Sequence, residues 1–258
     1  MRTEILYEDK SIMVIRKPAG LAVQSAGIGQ PDVVSELKSY LAKLPSAGRP
    51  GKGEPYLGIV HRLDQPVEGL LVFAKDKKAA ATLSKQLTEG ALNKHYYAVL
   101  CGYPDCPEGD LVDYLRKEGN VAVAVTGREQ EFADAKIAVL HYRILEEIND
   151  PSPLALADVT IGTGRFHQIR VQFAHAGFPL LGDTKYGMAA RKEAMPAQKY
   201  RGVALCAYSL ELVHPISGKN SQKMKPESPK GDKKSLSEHT NPKRECAEWT
   251  GENSIKIL

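Results

Sequence analysis

The chain has 258 residues, 42% hydrophobic and 26% charged, enough for one sizeable core and more suited to one large domain than to two. It contains no run of eighteen apolar residues, and Met1-Arg2-Thr3-Glu4 lacks the apolar core and cleavage site of a signal peptide, so a cytoplasmic protein is expected. The net charge is +4, and the stretch from Lys219 onward holds nine Lys or Arg against six acids, which leaves residues 1–218 near neutrality and limits any nucleic-acid site there to a local patch.

In chain order, Ile5-Leu6-Tyr7 and Ile12-Met13-Val14-Ile15 read as a strand pair around Glu8-Asp9-Lys10-Ser11, and Lys17-Pro18-Ala19-Gly20 ends the pattern. Asp32 is a plausible N-cap for a helix with Val34, Leu37, Leu41 and Leu44 on one face. A loop from Pro45 to Gly53 leads to two apolar runs, Leu57–Leu63 and Gly69–Ala74. Asp76 can cap a second helix, with Ala80, Leu83 and Leu87 aligned and Gly90 beyond its end.

Lys94 to Leu100 alternates, so Lys94, Tyr96 and Ala98 share a strand face. Phe132–Ile148 and Leu154–Ile161 read as long strands around a turn at Asn149–Pro153. Gly162-Thr163-Gly164-Arg165 then enters a helix over His167–Ala176, and Val203–Val213 reads as a late strand. Strands outnumber helices and rarely alternate with them. The expected fold is α+β, a single domain over 1–218 with a mixed, largely antiparallel sheet, flanking helices and loops, and a central cleft. Residues 219–258, rich in Lys, Ser, Pro and Glu, are expected to be a disordered tail. Cys101, Cys106, Cys206 and Cys246 form no CxxC pair and are expected to be structural thiols; no metal or cofactor is expected.

The most informative stretch is His61-Arg62-Leu63-Asp64, at the seam of the two apolar runs. An Asp is a poor strand former, and an acid between buried strands is either a turn cap or a side chain displayed at a cleft. Local composition alone favours the cap. Gly162–Arg165 is a second polar concentration: a tight strand-to-helix turn gathers free N–H groups suited to an anion, and Arg165 adds a planar fork. Its plainer alternative is a helix entry with a surface Arg.

Taken together, these segments resemble the RluA-type family of RNA pseudouridine synthases. The matching stretches are Gly58–Asp64, Gly69–Lys75, Lys94–Val99, Gly164–Val171, Pro179–Asp183 and Tyr186-Gly187, preceded by Arg16–Leu21, all in order across residues 4–218. The resemblance implies conversion of specific uridines in structured RNA, ribosomal or transfer, to pseudouridine. Asp64 would be the catalytic carboxylate, Tyr96 would stack on the uracil, and Arg165 would pair with Asp64 and keep it ionised. Arg62, Lys94, Ile169 and Arg170 would contact the substrate, with Ile169 an apolar wall for the base. His61 is expected to be structural.

Outside the cleft, Lys185, Arg191, Lys192, Lys199 and Arg201 form the best candidate patch for the RNA backbone. The expected partner is RNA, with no membrane, no obligate protein partner and a monomeric state; no small S4-like RNA-binding domain is expected ahead of residue 4. Two departures from the family pattern stand out. Val67-Glu68 replace a Thr-Ser pair, and Gln172 stands where a His is frequent. Two other classes compete: an RNA-binding protein that kept the fold but lost catalysis, and a glycoside hydrolase, for which Asp183 or Glu68 would have to be a second acid.

Overall fold

The computed structural model describes residues 1–25, 27, 29–44, 54–149, 152–187, 202–217, 223–224 and 254–257. Strand β1 (Glu4–Glu8) turns into β2 (Ile12–Lys17) because Asp9 Oδ1 accepts from Ser11 N at 2.7 Å and Ile12 N at 2.8 Å. Helix α1 (Val33–Lys43) starts at Asp32, which accepts from Ser35 N, and buries Val33, Val34, Leu37 and Leu41. The short strand β3 (Gly58–Ile59) precedes β4 (Glu68–Ala74), and α2 (Lys77–Thr88) is capped by Asp76, which accepts from Ala79 N. Strand β5 (Asn93–Cys101) follows, then β6 (Glu108–Glu118), β7 (Val121–Ala124), β8 (Lys136–Asn149), β9 (Pro153–Ile161), α3 (Gln168–His175), β10 (Leu205–Leu212), β11 (Lys223–Met224) and β12 (Ser254–Ile257).

The main path of the sheet runs β1-β2-β4-β10-β5-β9-β8-β6-β7. Every pair on it is antiparallel except β4 with β10, so the expected α+β, largely antiparallel architecture is what forms. Because side chains alternate across the pleat, β2 and β4 feed two cores at once. Met13, Ile15, Leu71 and Phe73 join α1 and α3 on one face, whereas Ile12, Val14, Leu70, Val72 and Ala74 join Leu83 of α2 on the other. A third cluster, around Leu115, Ala138, Val171 and Tyr186, ties α3 to the β6–β8 end.

The structure adds to the expectations and corrects some. Residues 102–131 carry β6 and β7, which no motif announced, and β8 begins at Lys136 rather than Phe132 because a turn closed by Ala135 N on the Phe132 carbonyl at 3.1 Å intervenes. Most of the stretch expected to be a disordered tail lies outside the described residues, but β11 and β12 within it are strands. β12 runs parallel to β10 in the register Ser209↔Ser254 and pairs with β11 on its other side. The reason is an open edge: β4 pairs with β10 only at Cys206 and Ala207, so from Ser209 onward that side of β10 can take another strand.

Candidate active site

Between β3 and β4 the chain is irregular, and what fixes it is packing. Leu63 and Val67 are buried in the main core on either side of Asp64, and Val67 N closes a turn on the Asp64 carbonyl at 3.1 Å. Lys17, with no exposed surface, donates from Nζ to the carbonyls of Leu21 (2.7 Å), Pro18 (3.0 Å) and Gln65 (3.1 Å), tying the loop after β2 to the residue beside Asp64. Burial pushes the Lys17 ammonium down to about 8, opposed by Asp64 and Glu68. His61 accepts the Val72 amide on Nε2 at 3.3 Å, and burial, aided by Lys94, pushes its imidazole to about 3. It is a neutral ring bonded to the β4 backbone. Gly69 allows β4 to begin: it has φ +129, and a Cβ there would run into the Ala207 backbone of β10.

Asp64 is thereby presented, its side chain 22% exposed, to a cleft of about 860 Å³. Arg62, Lys94, Tyr96, Arg165, Ile169 and Arg170 all line the same space. The fold thus brings residues from three distant segments to one cleft. Tyr96 is 5% exposed, and burial with the Asp64 charge raises its phenol, keeping the hydroxyl protonated. Burial also lowers the Lys94 ammonium. Ile169 packs into the main core while reaching the cleft wall.

The turn into α3 is latched by Gln168. Its Oε1 accepts from the Thr163 hydroxyl (2.8 Å) and Arg165 N (2.9 Å), and its Nε2 donates to the Val139 carbonyl. This latch corrects the expected partner of Asp64. Arg165 lies before the helix, and its Nε donates to the Ile137 carbonyl at 2.8 Å. The cation on Asp64 is Arg170, one turn into α3 and facing inward, with Nη1 3.1 Å from Oδ2. Arg170 is not a free substrate contact either, because Nε and Nη2 grip Asp183 bidentately at 2.7 and 2.8 Å.

His167 lines the cleft, and Asp183 and Tyr186 bond Arg170 and His167 respectively; sequence reasoning placed none of the three beside Asp64, and weighed Asp183 only as the second acid of a glycoside hydrolase. His167 stands in the left-handed region (φ 53) with Nε2 3.6 Å from Asp64 Oδ2. Only the motif positions His167, Asp183 and Tyr186 hinted at them; no spacing rule links residues 64 and 183. Of the expected backbone patch, Lys185 is exposed and donates to the Asn120 carbonyl, whereas Arg191, Lys192, Lys199 and Arg201 lie outside the described residues. Gln172, at the position where a His is frequent, is fully buried and donates to Asp113 and to the Leu111 and Ala138 carbonyls, a structural link. Val67 is a core residue, and Glu68 is a half-buried acid pushed up by burial. Among the described residues no three His, Cys, Asp or Glu side chains gather as a metal-holding group, and no helix is long and apolar enough to cross a membrane.

Comparison with known proteins places this geometry. A Synechocystis protein described as an uncharacterized RNA pseudouridine synthase is 38% identical over 225 residues, covering 83% of this chain and 62% of the relative. Ribosomal large subunit pseudouridine synthase D of Escherichia coli K12 is 37% identical over 229 residues, covering 83% of this chain and 64% of the relative. The chain thus spans less than two thirds of the length of these relatives. Among solved structures, human RNA Pseudouridylate Synthase Domain Containing 4 superposes with a TM-score of 0.63 at 27% identity, over 81% of this chain and 84% of that one. The family model described as RNA pseudouridylate synthase matches residues 11–175, from β2 through α3, and the chain belongs to that family.

Proposed function

We propose that this protein isomerises uridine to pseudouridine in RNA, with Asp64 as the reacting carboxylate. The observation that carries the proposal is the Asp64 side chain held by buried Arg170 beside the buried Tyr96 phenol, in a cleft large enough for a nucleotide. The reaction breaks the bond between ribose C1′ and uracil N1, turns the base, and rejoins it through C5, which gives up its proton while N1 gains one. A carboxylate serves it as nucleophile or as base towards the ribose, and stabilises positive charge at C1′. Tyr96 gives the uracil a platform and Ile169 an apolar wall. Arg62, Lys94 and Arg165 supply positive charge to the RNA, and Lys185 with Arg191, Lys192, Lys199 and Arg201 extend it outside the cleft. Extruding the uridine costs a few kcal/mol, which these contacts offset.

The names of the relatives favour large-subunit ribosomal RNA over transfer RNA as substrate, and a cytoplasmic monomer is the simplest carrier of this activity. A glycoside hydrolase needs a second accessible acid, and Asp183 is unsuited, since its side chain is wholly buried against Arg170. The test is pseudouridine mapping of cellular RNA with and without the gene, complemented by wild type or Asp64→Asn. At least one uridine should lose and regain its modification with wild type only. No change at any uridine sinks the isomerase, and full complementation by Asp64→Asn leaves a binding protein or another residue in its place.

A further inference from the structure

The two oxygens of Asp64 are not equivalent. Arg170 Nη1 and His167 Nε2 both approach Oδ2, at 3.1 and 3.6 Å, and no described residue bonds Oδ1. The His167 ring is closely held. Its side chain is 8% exposed, Phe166 stacks on it at 3.8 Å between centroids, and Tyr186 meets it edge-on. Its Nδ1 lies 2.6 Å from the Tyr186 hydroxyl. That hydroxyl already accepts the Ala122 amide at 2.8 Å, and burial raises its pKa.

These contacts decide where the ring proton sits. Among the described residues the phenolic proton of Tyr186 has one acceptor, Nδ1 of His167. Nδ1 is therefore the lone-pair nitrogen, and Nε2 carries the hydrogen that faces Asp64. Protonating the ring would turn Nδ1 into a donor and strand the phenolic proton. Burial is the largest influence on the ring and, with the Arg170 and Lys185 cations, keeps it neutral against the opposing pull of the Asp64 and Asp183 carboxylates. The left-handed backbone at His167 is what brings Nε2 to Oδ2, and a non-glycine residue persists there only when its surroundings hold it.

We propose that His167 is a positioning residue for the isomerase reaction proposed above: its neutral Nε2–H, set by Tyr186, works with Arg170 to hold Oδ2 of Asp64 and leaves Oδ1 to meet the ribose. A 3.6 Å approach is longer than a hydrogen bond, and such contacts in free enzymes commonly tighten once substrate is bound.

The test pairs two variants with a spectroscopic readout. An Asn at 167 tolerates the left-handed backbone and places its amide near Nδ1, within reach of Tyr186 but not of Asp64; a Gln extends its amide towards the Nε2 position. On total ribosomal RNA from cells lacking the gene, His167→Asn should lower kcat about tenfold with KM unchanged, and His167→Gln should recover most of it. Histidine 15N NMR of the full chain, assigned by the signals lost in His167→Asn, should show the Nε2–H tautomer at pH 7, and Tyr186→Phe should admit the other. An Nδ1–H tautomer in the wild type overturns the proposal, as does a wild-type kcat in His167→Asn or an equal loss in both variants. If wild type converts no uridine, the isomerase proposal fails independently of the NMR result.

Discussion

Replacing Arg170 by Met removes the cation that joins Asp64 to Asp183 and tests whether this buried pair holds the site together. Arg170 is 4% exposed and spends all three guanidinium nitrogens on carboxylates, at 2.7 and 2.8 Å to Asp183 and 3.1 Å to Asp64. With the cation gone, Asp183 keeps, among the described residues, only the amides of Lys185 (3.0 Å) and Tyr186 (3.3 Å) as donors to a charge that has no exposed side-chain surface. Breaking a buried pair from one side costs about 3–5 kcal/mol, a large share of the ~5–15 kcal/mol that holds a typical domain. Asp183→Asn alone should cost less, since the amide oxygen still accepts those backbone bonds. The double variant should cost at least ~2 kcal/mol less than the sum of the singles, because it leaves no buried carboxylate unpaired. Urea unfolding of the four proteins measures this. A single-variant loss under ~1 kcal/mol at constant m, or additive losses, refutes the account of Arg170 as the strut beneath Asp64.

Three further outcomes follow from the same geometry. Gly69→Ala should cost more than ~2 kcal/mol in chemical unfolding, since a Cβ at φ +129 strikes the backbone of Ala207; a near-neutral effect contradicts the close approach of β4 and β10. Arg165→Met should change stability by no more than ~0.5 kcal/mol, because its guanidinium lies near the surface on the Ile137 carbonyl. It should also reduce the slope of log affinity for RNA against log salt by about 0.7–0.9, and an unchanged slope removes Arg165 from the RNA contacts. His61 and His167 titrate in the folded chain at about 3 and about 4, against 6.5 when unfolded, burial being the first cause in both. Between about pH 4 and 6.5 the unfolded chain binds protons that the folded chain refuses, so stability should rise with pH across that window, by up to about 1.4 kcal/mol per pH unit for each histidine. Melting temperatures that stay flat from pH 4.5 to 6.5 contradict neutral buried rings.

What could be read from the sequence was local chemistry. Asp32 and Asp76 announce their helices because an N-cap acts within three residues, and β5 shows its face because alternation needs only its own side chains. Asp64, Tyr96 and Arg165 line one cleft. The partner of Asp64 was misjudged because two arginines, 165 and 170, stand five residues apart around the start of α3. Which one turns inward depends on the Gln168 latch and on Asp183, neither of which a local pattern encodes. β6 and β7 escaped because Glu108–Glu118 mixes charged and apolar residues, and of its two buried positions, Asp113 and Leu115, one is itself an acid. The left-handed turn at His167 was equally hidden, since Gly164 three residues earlier is the residue a reader would choose for it.

The place of β10 has a consequence for how the molecule is made. It follows β1–β9 in the chain, yet it lies between β4 and β5 and, among the described residues, is the only strand that links the two halves of the sheet by hydrogen bonds. The half that carries Asp64 and the half that carries Tyr96 can each pair internally during synthesis, but they have no common strand until Leu205–Leu212 arrives. A nascent chain cut short before residue 205 would hold both parts of the cleft and no cleft. The cleft is thus joined by a strand that is made after both of its halves.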